Sequence, residues 1–204
     1  MWKKMNLPNK LTMIRIILVP LFVLFMALPK TLVWNLWVAL GIFIVAALTD
    51  FIDGKIARSK NLITKFGKIM DPLADKMLVS AGFIMLSYYG IIPGWISAII
   101  ILRDFFVNAL RIFGADKNND LSASVSGKVK TACELFSIPL AIISMALGAT
   151  NVYGAFFANS VSMTVFSLII NIFMTVFVSL AVLATVWSLV DYIVRFKDSV
   201  NVEE

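Results

Sequence analysis

Val33-Trp34-Asn35-Leu36-Trp37-Val38-Ala39-Leu40-Gly41-Ile42-Phe43-Ile44-Val45-Ala46-Ala47-Leu48-Thr49-Asp50 is an uncharged apolar run that stops on a carboxylate. Its length suits the ~30 Å hydrocarbon core of a bilayer, which takes ~20 helical residues to cross. The apolar residues are consecutive rather than alternating with period two, which predicts a helix and not a barrel strand. Outward from it, comparable runs lie near Thr12–Leu28, Lys76–Tyr89, Gly94–Phe113, Val129–Leu147 and Ser162–Val190. With 60% apolar and 15% charged residues, and a mean hydropathy of +0.92, these runs predict an all-α integral membrane protein of six transmembrane helices. Six spans in 204 residues leave no room for a large soluble domain. Pro20 in the first run, with no small-residue cleavage site after it, predicts a retained span rather than a signal peptide. The organisation expected is an interfacial amphipathic segment over 1–11, a six-helix domain over 12–195 and a tail over 196–204.

Apart from Lys30, at the first of the opposite ends, and Arg103, inside the fourth run, the cations fall on one side of this scheme. Lys3, Lys4, Lys10 and Arg15 open the first span. Lys55, Arg58, Lys60, Lys65, Lys68 and Lys76 fill the second connection, Arg111, Lys117, Lys128 and Lys130 border the fourth, and Arg195 and Lys197 follow the last span. The positive-inside rule then places both termini and these connections in the cytoplasm, in a multi-pass protein of the cell membrane. Cations scattered over four membrane-edge segments suit anionic headgroups and argue against nucleic acid as a partner, despite a net charge of +6. Trp34, Trp37, Trp95 and Tyr89 fall near the opposite ends, where an interfacial aromatic belt belongs.

The absence of histidine excludes imidazole catalysis and His-ligated metals, and the single cysteine, Cys133, excludes disulfide scaffolds and Cys-cluster zinc sites. Cys133 itself reads as a small apolar core residue. Chemistry must come from the acidic and basic residues. Asp50 and Asp53 are three apart, and Asp71 and Asp75 four apart, so each pair lies on one face of a helix. Two such pairs on consecutive helices gather four negative charges at a membrane boundary, which two divalent cations would neutralise. All-oxygen ligation suits Mg²⁺ or Mn²⁺. Gly54 and Ala57 keep one helix face low for a close approach, as Gly67 does before the second pair. Pro72 suits the first turn of a helix, and Arg58 is suited to bidentate pairing with phosphate. One competing reading pairs the aspartates with Lys55, Lys68 and Lys76 as salt bridges. Another is an ion-coupled transporter, which calls for acidic residues at mid-membrane depth rather than at one end of two helices.

Asp50, Asp53, Gly54, Ala57, Arg58, Gly67, Asp71 and Asp75 together form the pattern D-x2-D-G-x2-A-R-x8-G-x3-D-x3-D, which resembles the signature of the CDP-alcohol phosphatidyltransferases. The resemblance covers essentially the whole chain. Pro8-Asn9-Lys10-Leu11-Thr12-Met13-Ile14-Arg15 is similar to the P-N-x-L-T-x-x-R motif of many bacterial members. Ser126-Gly127-Lys128-Val129-Lys130-Thr131 is similar to the G-K-x-K-T segment of the phosphatidylglycerophosphate synthase branch. The resemblance implies a donor, CDP-diacylglycerol, contacted by Asn9, Thr12, Gly54, Ala57, Arg58, Thr64 and Gly67. It implies one cation held by Asp50, Asp53 and Asp71 and a second by Asp50, Asp71 and Asp75. Asp75 is the implied general base, with Arg58 beside it in catalysis, and a homodimer is the implied assembly.

Arg103, Arg111, Lys128 and Lys130 supply further cations, which suggests an acceptor with its own phosphate, glycerol 3-phosphate. Arg103 falls inside an apolar run and needs a partner, either Asp104 or an anionic ligand. The function expected is transfer of the phosphatidyl group to glycerol 3-phosphate with release of CMP. Phosphatidylinositol-phosphate and cardiolipin synthases of the same family are the alternatives. Intramembrane prenyltransferases also use two aspartate-rich helices, but with more spans and a different spacing. Glu134, one turn after Lys130, and Asp191, one turn before Arg195, read as ion pairs.

Overall fold

The structure, a computed structural model, describes residues 7–29, 32–59, 65–116, 125–153 and 161–201. Within these helices the side chains of 52–59, 65–69, 71, 72, 75, 110–116 and 195–201, with some others near helix ends, are not described. Among the described residues, six helices follow one another: α1 (Leu7–Ala27), α2 (Trp34–Ser59), α3 (Lys65–Tyr88), α4 (Gly94–Asp116), α5 (Val125–Tyr153) and α6 (Val161–Asn201). Among the described residues there is no strand. Among the described residues, four segments are long and apolar enough to cross a bilayer: Asn9–Ala27, Trp34–Phe51, Ser126–Gly148 and Leu168–Val194. The protein is an all-helical integral membrane protein. α3 has a shorter apolar stretch, Lys76–Tyr88, and α4 carries Arg103 and Asp104 in its middle.

The helices extend beyond the apolar runs at their charged ends. α2 continues past Asp50 to Ser59, because the residues after it include no proline and only one glycine, Gly54. α3 starts at Lys65, well before the run at Lys76. Pro72 is therefore not in a first turn but the eighth residue of α3. The helix passes through it and forgoes the N–H that would bond the Lys68 carbonyl. Pro20 in α1 and Pro139 in α5 are likewise interior, as neighbouring helices permit in a membrane bundle. At 41 residues, α6 is ~60 Å long at 1.5 Å per residue and projects beyond the lipid.

α1 packs on α2 and α3, α5 on α2, α3 and α6, and α4 on α3 and α6. The core between them is formed by Phe22, Met26, Leu36, Phe43, Phe83, Leu86, Ile100, Ile138 and Ile142, with the Phe22 and Phe43 rings 5.6 Å apart. Lipid tails are as apolar as these side chains, so close packing rather than exclusion of water holds the helices together. Gly82 shows how close: a Cβ there would lie 2.6 Å from Ile138 Cδ1, so α3 and α5 meet at a position without a side chain. Leu24, Ile44, Leu102, Phe136, Leu183 and Trp187 face outward.

The end of the bundle away from the aspartates is closed by specific hydrogen bonds. Asn35 Nδ2 donates to the Phe25 and Leu28 carbonyls at 3.0 and 3.1 Å, and the Tyr89 hydroxyl donates to Met26, satisfying the last carbonyls of α1. α3 ends on Gly90, whose φ of +69° is the left-handed cap. Gly90 N–H bonds Ser87 at 2.9 Å and Ile91 N–H bonds Leu86 at 3.0 Å, the paired bonds of a Schellman motif. Trp34, Trp37 and Trp95 are exposed at this same end, as the aromatic belt requires.

Candidate active site

The site is built at the other end, where α1 begins, α2 ends and α3 begins. Asn9, Thr12 and Arg15 follow one another at three-residue spacing on α1 and are all buried, so one stripe of an otherwise apolar helix is polar and faces inward. Thr12 and Arg15 are wholly covered. Arg15 Nη1 lies 2.7 Å from Asp50 Oδ1 on α2, while the Asp50 side chain remains 43% exposed. The preceding hydroxyl, Thr49 Oγ1, is turned back onto the Val45 carbonyl at 2.6 Å. Arg15 was legible from the sequence only as a topology cation and part of a motif. The signal that marks it is the Asn9, Thr12, Arg15 spacing.

α2 carries both Asp50 and Asp53, α3 carries both Asp71 and Asp75, and the two helices pack against each other. The side chains of Asp53, Gly54, Ala57, Arg58, Gly67, Asp71 and Asp75 lie outside the described residues, as does Thr64 altogether. Among the described residues no three carboxylates come together. The donor set on α2 and α3 consists of carboxylate oxygens, the chemistry that suits a hard divalent cation, and Asp50 is accessible while paired. The residues present therefore fit such a cation.

A second polar cluster lies on α3, α4, α5 and α6. Asp104, 3% exposed, accepts from Arg103 Nη1 at 2.9 Å and from Lys130 Nζ, with Lys76 Nζ 3.6 Å from its other oxygen. Lys130 is also 2.6 Å from Glu134 Oε1, the ion pair expected one helical turn apart. Arg103 Nη2 donates to Ser188 Oγ, and the Arg103 guanidinium lies 5.7 Å from the centre of the Tyr192 ring. Ser126 Oγ donates to Asp191 Oδ2 at 2.7 Å, while the side chain of Arg195, the partner expected for Asp191, is not described.

Of the four cations assigned to an acceptor phosphate, Arg103 and Lys130 thus meet on one carboxylate. Lys128 is exposed, and the Arg111 side chain lies outside the described residues. Burying these charges is costly unless they are paired, and the pairs here join neighbours on α4 (Arg103 and Asp104), successive turns of α5 (Lys130 and Glu134) and different helices (Asp104 with Lys130 and Lys76). Lys76, Ser188 and Tyr192 were not singled out as members of this cluster from the sequence, because only packing brings α3 and α6 to Arg103. Lys76 immediately follows Asp75, so the two clusters adjoin along α3. Cys133 is buried, in keeping with a core role.

The aspartate signature on α2 and α3 and the neighbouring buried cluster with Lys76, Arg103 and Lys130 bring together the residue types that suit divalent cations and phosphates. Similar proteins match this chain over about three quarters of their own length. A CDP-diacylglycerol–glycerol-3-phosphate 3-phosphatidyltransferase of Bacillus subtilis is 40% identical over 144 residues, covering 65% of this chain and 74% of the relative. One from Rickettsia felis is 38% identical over 138 residues, covering 68% and 75%. One from Escherichia coli is 39% identical over 140 residues, covering 65% and 74%. Residues 5–187 match the CDP-alcohol phosphatidyltransferase family, whose chemistry is metal-dependent, and this chain belongs to that family.

Proposed function

We propose that the chain transfers the phosphatidyl group of CDP-diacylglycerol to glycerol 3-phosphate, giving phosphatidylglycerophosphate and CMP. The observation that carries this reading is the complete aspartate signature from Asp50 to Asp75 on two packed helices, adjoining a buried cluster that holds Arg103 and Lys130. Asp50, Asp53 and Asp71 would hold one divalent cation, and Asp50, Asp71 and Asp75 a second, either Mg²⁺ or Mn²⁺. Divalent cations held there would supply polarisation of the donor diphosphate and stabilisation of charge on the departing CMP.

The remaining steps belong to the chain. Asn9, Thr12, Gly54, Ala57, Arg58, Thr64 and Gly67 seat the donor, with Arg58 pairing a phosphate. Arg103, Arg111, Lys128 and Lys130 hold the acceptor phosphate. Asp75 takes the proton from the attacking glycerol hydroxyl as the new P–O bond forms and the bond to CMP breaks. With no histidine in the chain and Cys133 buried in α5, in-line displacement without a covalent enzyme intermediate fits best. The distribution of lysine and arginine supports an active site on the cytoplasmic face of the cell membrane, and the family resemblance supports a homodimer.

The test is CMP release by the purified protein with CDP-diacylglycerol and one acceptor at a time, with Mg²⁺ or Mn²⁺ present. Turnover with glycerol 3-phosphate supports the reading. Turnover with inositol phosphate but not glycerol 3-phosphate moves the chain to the sister activity.

A further inference from the structure

Arg15 opens a membrane span, where an arginine ordinarily lays its stem on apolar surface and keeps its charged head in water. Arg15 is instead wholly covered, and its Nη1 lies 2.7 Å from Asp50 Oδ1. Packing of α1 on α2 does not call for that charge, because replacing a buried ion pair by apolar residues is often neutral or stabilising. The α1–α2 contact also has its own anchors. The Phe22 and Phe43 rings are 5.6 Å apart, and Asn35 at the start of α2 donates to the Phe25 and Leu28 carbonyls at 3.0 and 3.1 Å. With α1 held in this way, the guanidinium stays beside Asp50 when another cation arrives. The Asp50 side chain is 43% exposed and so open to such a cation from outside. One carboxylate thus faces a buried guanidinium on one side and any incoming positive charge on the other.

We propose that Arg15 is the resident counter-ion of the aspartate signature: it offsets part of the carboxylate charge from within the protein and thereby lowers the affinity for divalent cations. This rests on the reading above that Asp50 is a cation ligand, and it adds a residue that acts through Asp50 without touching substrate. α2 and α3 pack together while carrying Asp50, Asp53, Asp71 and Asp75. Like charges on packed helices cost stability unless something opposes them. A built-in guanidinium opposes them at all times, and by the same Coulomb law it repels any divalent cation that Asp50 takes up. Its two effects have opposite signs: it stabilises the protein without cations and weakens the cation complex. The result is a centre that keeps its fold without cations and exchanges them with its surroundings.

The experiment is a Mn²⁺ titration of the full-length protein in detergent, read by electron paramagnetic resonance, on wild type, Arg15→Met, Arg15→Gln and Arg15→Lys. Arg15→Met and Arg15→Gln remove the charge and should bind Mn²⁺ about 10-fold more tightly than wild type. Arg15→Lys keeps the charge and should stay within about threefold of wild type. Thermal denaturation reads the other sign. The two neutral variants should melt below wild type in chelator, and Mn²⁺ should raise their melting temperature by more than it raises that of wild type. Mn²⁺ affinity unchanged or weakened in either neutral variant would overturn the inference, since a purely structural or orienting Arg15 gives those results. Tightening in Arg15→Lys equal to that of the neutral variants would overturn it as well. If neither neutral variant folds in saturating Mn²⁺, the inference also falls, because the cation should replace the lost charge. Wild type is titrated first: a wild type that binds no Mn²⁺ overturns the cation reading itself, whereas binding by wild type with unchanged variants overturns the counter-ion alone.

Discussion

Arg15 on α1 holds Asp50 on α2: a wholly buried guanidinium sits 2.7 Å from the first carboxylate of the aspartate signature. The pair ties the opening helix to the site through a charge contact at Nη1. Because Asp50 is 43% exposed, its own desolvation is limited, and the pair's worth falls below that of a fully buried one.

The first prediction follows from that pair. In a double-mutant cycle with Arg15→Ala and Asp50→Ala, followed by thermal denaturation in detergent, the two sites should couple by roughly 1–2 kcal/mol. Arg15→Lys, which keeps the charge on a different stem, should recover part of the stability. Additive losses would show that the contact carries no energy.

The second concerns the α3–α5 contact. A methyl at position 82 would lie 2.6 Å from Ile138 Cδ1 and 3.1 Å from both Ile138 Cγ atoms, inside a packed core. Gly82→Ala should destabilise the protein by about 1–3 kcal/mol. Adding Ile138→Val removes the nearest carbon and should restore a large part of that loss. A melting temperature unchanged by Gly82→Ala would contradict the close approach.

A third prediction separates the two ends of the bundle. Asn35→Ala removes two hydrogen bonds to the end of α1, at 3.0 and 3.1 Å, far from the aspartates. It should cost about 1–3 kcal/mol of stability while the remaining folded enzyme keeps its KM for both substrates. A selective change in one KM would mean that this end communicates with the site.

How much of this was legible beforehand depends on what kind of interaction decides each feature. The apolar cores of the helices were readable because lipid demands long uncharged runs, as in Val33–Thr49. Their ends were not. α2 runs on through Asp53 to Ser59 and α3 begins at Lys65, since a helix can leave the lipid and continue on its own propensity. Pro72, read as a helix opener, sits inside α3 for the same reason. The i,i+4 pair of Lys130 and Glu134 is local and was predictable. Arg15 with Asp50, Lys76 with Asp104 and Arg103 with Ser188 each join residues distant in the chain, and only packing chooses those partners.

The measurement that bears most directly on the carboxylate centre is the Mn²⁺ stoichiometry of the purified protein, read by electron paramagnetic resonance. About two ions per chain are predicted for the wild type, with loss of binding in Asp71→Asn while the variant stays inserted and folded. Stoichiometry unchanged by Asp71→Asn, or a wild-type protein that binds no Mn²⁺ and still releases CMP in excess chelator, would contradict the account.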